Sequence, residues 1–458
     1  MNGPPEKAAR SLDPFPRHYS GGRPGYVYSV GMVPASGVSP VTSRLGWLDA
    51  LRGGAALTVA LHHASYVYLP DTRILMKEWY DPGMAAVLVF FLVSGYIVPA
   101  SLERRGSVRE FWIGRFFRIY PLLAVTCFLA VLPFLLGVLG LRAGLADYSA
   151  ATAVLAHLTM LQDVLNVPNV MNVLWTLSYE MAFYLLIVAL FVVGGHRRSA
   201  PAAAVLTVLA VAAGALTACG VLTGAYAPAA LLSRTAGTGP VVAVTAVALL
   251  VAIAAAVSGR RAPRTAGGLL GGLLATLLVT ANGRIDAWES VLMLAVMFTG
   301  TVVHRAEYGQ ITRRAGVATA AVVLAGAVGT GTWQAAPYGW KAQFSWNATI
   351  LSAALAFAVA WRWRHRRFPG WATWLGTVSF SVYLLHPLLL MVAAQFLGAS
   401  GREDALGLAF FVLVLLMLSW ATQRWIEAPA QRLGRRLARR PARPDAPVQP
   451  VFTGYGRG

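Results

Sequence analysis

Twelve mostly apolar stretches, most of them close to the length needed to cross a bilayer, follow one another along this chain. They fall at 47–69, 82–102, 119–140, 173–195, 201–222, 239–258, 266–282, 289–303, 315–335, 347–361, 374–398 and 406–426. A helix rises about 1.5 Å per residue, so about 20 apolar residues cover a hydrocarbon core of roughly 30 Å. With 57% hydrophobic and only 12% charged residues, the chain reads as all-α: a polytopic transmembrane helical bundle. The segment 150–162 is weaker and amphipathic and is left out of the count.

The net charge of +20 does not point to nucleic acid, because the basic residues sit in short clusters between apolar runs. That is the pattern of cytoplasmic loops. With both termini cytoplasmic, 29 of the 38 Lys and Arg residues fall on the inner side, 7 fall outside, and Arg52 and Arg424 lie within runs. Removing one pair of spans preserves the alternation, so ten to twelve spans fit. Residues 1–43 are polar, repeat Pro and Gly, and have no apolar signal-peptide core, which predicts a disordered cytoplasmic tail. Residues 44–433 form the membrane domain and 434–458 a basic cytoplasmic tail. The two cysteines, Cys127 and Cys219, sit in apolar runs without metal-ligand spacing, so no metal site is expected.

The first run, LDALRGGAALTVALHH, carries ionisable residues at both ends. Eleven helical steps separate Arg52 from His63, which puts them about 20° apart in projection and roughly 16 Å apart along the axis. His62 points about 80° away, and Asp49 is close enough to pair with Arg52. Charged groups at membrane depth are costly and suggest function. After the second run comes RRGSVREFWIGRFFRIYPL, in which Arg115 and Arg118 lie three apart. They read either as a positive-inside loop with an interfacial anchor or as a phosphate clamp. The fourth run, NVLWTLSYEMAFYLL, buries Glu180 at about the depth of His63, so the two can meet. Packing against another helix is the alternative. In the eleventh run, TVSFSVYLLHPLLL, Ser379, Tyr383 and His386 are neighbours on one helix, and Pro387 frees a backbone carbonyl. His386 could equally be a structural hydrogen-bonding group.

In order, LDALRGGAALTVALHH, FFLVSGYIV, RFFRIYPL, WTLSYEMAFYLL, SFSVYLLHP and WIEAPAQRL resemble the landmarks of the membrane acyltransferase-3 family, from about Arg44 to Leu433. The resemblance implies a multi-pass cell-membrane enzyme, usually with ten spans, that O-acylates sugars or macrolide-type scaffolds. It implies His63 as the essential histidine paired with Arg52, and Arg115 and Arg118 as a basic pair that helps hold acyl-CoA. Trp175, Ser178, Glu180 and Tyr184 match the fourth-run element. The family's late Glu-Lys/Arg-Pro reads Glu427-Ala428-Pro429 here, so this chain departs from the resemblance at the basic position.

The expected reaction has no permanently bound cofactor and takes acyl-CoA, acetyl-CoA or another short acyl thioester, as co-substrate. Arg52, Arg115 and Arg118 would bind the donor. His63 would act as general base on an acceptor hydroxyl, and Glu180 would orient the imidazole. Trp175, Ser178, Tyr184, Tyr383 and His386 are the candidate substrate-binding residues. The acceptor would be a glycan, a lipid-linked sugar or a macrolide-type scaffold, reached within the lipid bilayer. The competing reading is a proton-coupled transporter or flippase with Arg52, His63 and Glu180 as an intramembrane relay. No inverted repeat stands out to favour it.

Overall fold

The computed structural model describes residues 46–142, 144–220, 235–280, 285–397 and 403–438, and no strand occurs among them. The expected N-terminal tail and most of the C-terminal tail lie outside the described residues. In chain order the helices are α1 Gly46–Tyr68, α2 Pro70–Trp79, α3 Pro82–Arg105, α4 Val108–Leu135, α5 Ala150–Leu158, α6 Trp175–Val192 and α7 Ser199–Ala218. They continue with α8 Thr238–Ala256, α9 Arg261–Thr280, α10 Ala287–Glu307, α11 Arg313–Ala335 and α12 Trp340–Arg362. The last are α13 Gly370–Leu397, α14 Ala405–Thr422 and α15 Ala428–Ala438.

Eleven helical segments among the described residues are long and apolar enough to cross a membrane. Together with α1 they coincide with the twelve apolar runs. Helix α1 is not among the eleven. It is surrounded by α3, α12 and α13, with Trp47, Leu48, Ala56, Val59, Ala60 and Ala64 buried. A helix screened from lipid by its neighbours has no need of a uniformly apolar surface. The weak segment 150–162 holds only the nine-residue α5.

Two close helix crossings organise the bundle. Helices α1 and α13 touch backbone to backbone: a Cβ on Gly53 would stand 2.6 Å from the Gly376 nitrogen, and one on Gly376 would stand 2.1 Å from the Asp49 carbonyl oxygen. Helices α3 and α10 cross in the same way at Gly95 and Gly300, where Thr301 Oγ1 donates to the Gly95 carbonyl at 2.8 Å. Helices gain no hydrophobic drive from packing inside lipid, so backbone proximity and interhelical hydrogen bonds hold them together.

The expected C-terminal tail beginning at 434 starts inside a helix. A π-turn at Gln423–Glu427 ends α14 and leads into α15, which runs to Ala438. Helix α15 lies against α4, and Gly434 is where it meets the Phe117 ring. Helix α2 has no buried residue and exposes Ile74 and Leu75. Glu403 accepts from the Thr72 backbone N–H at 2.8 Å, and Lys341 donates to Glu78 at 2.6 Å.

Candidate active site

The α1–α13 contact places two polar pairs along one seam. Arg52 Nη2 donates to Ser379 Oγ at 3.3 Å, and further along the same helices His63 Nδ1 lies 2.9 Å from His386 Nε2. The two imidazole planes lie within 18° of each other with centroids 5.2 Å apart, so the rings meet edge to edge, nitrogen to nitrogen. The stripe joining Arg52 to His63 is therefore real, and α13 is what it faces. His62 points elsewhere, its Nε2 standing 4.0 Å from Asp81 Oδ1.

Around the Arg52 end, α1, α3, α4, α6 and α13 enclose about 850 Å³ of open space, counted to its mouth and lined by Arg52, Ser94, Arg115, Arg118, Glu180 and Tyr383 among others. The three arginines expected to bind the donor come from two helices, α1 and α4, and line one cavity. Arg115 reaches the Tyr184 hydroxyl at 3.5 Å, and that hydroxyl donates to Glu180. Arg118 makes no hydrogen bond to a described residue. Arg52 faces the carboxylates of Asp49, Glu180 and Glu427 as well as the Arg118 guanidinium. A partly open cavity with spare guanidinium donors is suited to phosphate oxygens.

Glu180 is not beside His63. Equal depth with His63 requires α6 to start at the membrane surface, but the chain before it is already inside the protein. Val164, Val167, Asn169 and Val173 are at most 1% exposed. Gln162 donates to Asn169 Oδ1 at 2.8 Å and to the Leu174 carbonyl at 3.2 Å, which ties the start of α6 inward. Tyr383 completes the anchor: its hydroxyl donates to the Val173 carbonyl at 2.9 Å and lies 2.8 Å from Thr176 Oγ1. Glu180 is one turn beyond Thr176, about 6 Å along the axis, and so falls among the arginines.

The other expected substrate-binding residues divide. Tyr383 lines the cavity. Tyr184 is buried but holds Glu180 and Arg115. Trp175 packs edge-on against Phe91 and Tyr179. Ser178 is fully buried, and its hydroxyl has no partner among the described residues. His386 is also fully buried, so it touches His63 rather than an open space. Glu427, 4% exposed and hydrogen-bonded to Ser381, received no site role from the sequence. Its signals are its place in the late Glu427-Ala428-Pro429 landmark and its position at the inner end of an apolar run.

A second pocket lies at the other end of α1, lined by Thr58, His62, Ser65, Tyr66, Arg73 and Asp81 among others. The His63 ring stands 5.4 Å from that of His62 and 6.3 Å from that of Tyr66. On the opposite side, the His386 ring is 6.0 Å from Tyr383 of the first cavity. The histidine pair thus stands between the two openings. No group of three or more His, Cys, Asp or Glu residues suited to a metal occurs among the described residues.

Comparison with known proteins agrees with this architecture. The family model of an acyltransferase domain, acyltransferase-3, matches residues 45–424. The chain is 36% identical to the acyltransferase MdmB of Streptomyces mycarofaciens over 154 residues, 32% of this chain and 39% of that one. It is 30% identical to nodulation protein 10 of Rhizobium leguminosarum bv. viciae over 155 residues, 30% of this chain and 41% of the relative. It is 26% identical over 177 residues, 35% of this chain and 26% of the relative, to YrhL of Bacillus subtilis (strain 168), put forward as a peptidoglycan O-acetyltransferase. The matches thus span about four tenths of the first two relatives and about a quarter of the third. No solved structure matches significantly. With the family's acyltransferase domain covering all but the ends of the sequence and a helical membrane bundle beneath it, the chain belongs to the acyltransferase-3 family of integral membrane proteins.

Proposed function

We propose that the protein transfers a short acyl group, acetyl being the simplest, from acyl-CoA to a hydroxyl of a sugar or of a glycosylated or polyketide scaffold. The observation that carries this reading is the seam between α1 and α13, with an arginine-lined cavity at one end and an imidazole pair between that cavity and a second pocket. CoA carries phosphates at one end and a long pantetheine arm ending in a thioester. Phosphates held by Arg115 and Arg118 would let the arm run along α1 past Arg52 toward His63, a helical rise of roughly 16 Å.

His63 is the general base in this reading. It takes the proton of the acceptor hydroxyl as the oxygen attacks the thioester carbonyl. The carbon–sulfur bond then breaks, and the departing thiolate recovers the proton from the imidazolium. Glu180, set among the arginines, balances their charge and shapes the donor cavity. The pocket of His62, Tyr66 and Asp81 is the approach for the acceptor. MdmB is named an acyltransferase and the Bacillus relative is put forward as a peptidoglycan O-acetyltransferase, which favours a glycan hydroxyl. The rival transporter reading needs Arg52, His63 and Glu180 in one relay; here Glu180 lies with Arg52 in the cavity, while His63 pairs with His386.

The test is to supply purified protein in nanodiscs with acetyl-CoA and candidate glycan or macrolide acceptors and to follow CoA release. Acceptor-dependent release with an acylated product is the expected result. Proton-coupled flux of a solute without any acyl transfer would replace this reading with transport.

A further inference from the structure

We infer that His386 is the positioning residue that fixes the tautomer of His63, holding the proton on His63 Nδ1 and leaving Nε2 as the basic lone pair. This rests on the proposed role of His63 as base, but the contact geometry that implies it stands without that role. His386 Nδ1 lies 3.0 Å from the Val382 carbonyl oxygen. A carbonyl only accepts, so Nδ1 of His386 carries a hydrogen. Pro387 has no N–H to give to the carbonyl of Tyr383, so this turn offers the ring acceptors.

A neutral imidazole protonated at Nδ1 presents its other nitrogen as an acceptor. Nε2 of His386 is therefore the acceptor in the 2.9 Å contact with His63, and His63 Nδ1 must be the donor. His63 in turn keeps its single hydrogen on Nδ1. Its Nε2 has no hydrogen-bond partner among the described residues and is the nitrogen free to take a proton. One backbone carbonyl thus sets the state of two imidazoles in series. In many enzymes and metal sites a carboxylate or carbonyl orients a histidine directly; here the second imidazole transmits that orientation. The complete burial of His386 keeps water from offering Nε2 an alternative donor.

A Gln at 386 places an amide oxygen where Nε2 stands and can still accept from His63. A Leu of similar size cannot. The experiment uses the full chain in nanodiscs with ¹⁵N-labelled histidine, as wild type, His386→Gln and His386→Leu, with His63→Ala identifying the His63 signals. In wild type, His63 is expected to show a protonated Nδ1 and an unprotonated Nε2 at neutral pH. His386→Leu should shift the proton toward Nε2 and lower kcat at least tenfold with the acyl-CoA KM unchanged, and His386→Gln should recover most of that loss. A wild-type His63 carrying its proton on Nε2 overturns the inference, as does a folded Leu variant with kcat within twofold of wild type. The wild-type spectrum decides the pairing even if the Leu variant fails to fold. It also decides it if no variant transfers an acyl group, an outcome that would count against the proposed reaction alone.

Discussion

His63 lies ten residues beyond Gly53 on α1, and its partner His386 lies ten residues beyond Gly376 on α13, so one register governs both the glycine contact and the imidazole contact. The two helices run in the same direction side by side, as the first and eleventh runs of an alternating topology must. The backbone contact at one end thereby controls the meeting of the rings at the other, about 15 Å along the axis.

That coupling makes the glycines testable. Gly376→Ala forces a methyl group against the Asp49 backbone, and Gly53→Ala forces one against Gly376. Each should destabilise by about 1–3 kcal/mol, the usual cost of overpacking, and lower activity because His63 and His386 separate. Gly54→Ala is the control, since a Cβ there meets nothing within 4 Å. Thermal unfolding in detergent alongside CoA release would check this; equal Tm values for the three variants would remove the close contact from consideration.

Arg118 lines the cavity without a hydrogen bond to a described residue. Arg118→Ala should leave folding intact and raise the KM for acyl-CoA. Hydrogen bonds to charged groups contribute on the order of 1.5–3 kcal/mol, which corresponds to roughly ten- to a hundredfold. A donor titration at saturating acceptor measures the effect, and an unchanged KM would leave Arg118 a topology signal only.

The two neighbouring histidines should separate by role. His63→Ala is expected to lose roughly 10²–10⁴-fold in rate, the range of general-base catalysis, while still binding donor. His62 lines the second pocket, so His62→Ala should raise the acceptor KM and spare the chemistry. Both belong in one assay of CoA released with acceptor present. A dead His62 variant beside an active His63 variant would reverse the assignment.

Orientation is open to a separate check. The basic cluster Arg362, Arg364, Arg366 and Arg367 is expected on the cytoplasmic side. Reporter fusions after Arg367 should be active only as cytoplasmic reporters, and periplasmic activity there would invert the topology.

Hydrophobic length alone located the eleven helices among the described residues that are long and apolar enough to cross a membrane, because the bilayer sets that length regardless of neighbours. The first apolar run also coincides with α1, a helix packed among α3, α12 and α13 that falls outside those eleven. Helical periodicity likewise put Arg52 and His63 on one stripe and turned His62 away, since 100° per residue is a property of the isolated helix. Neither principle says which helix lies opposite. Depth along the chain would set Glu180 beside His63, but the buried segment before α6 recesses that helix and carries Glu180 down to Arg52. His386 became the partner of His63 through a glycine contact ten residues away, between segments more than three hundred residues apart in the chain. Depth and helical phase are encoded locally, whereas azimuth and partner come from the packing of small residues on distant helices. The chemistry of the seam depends on that packing.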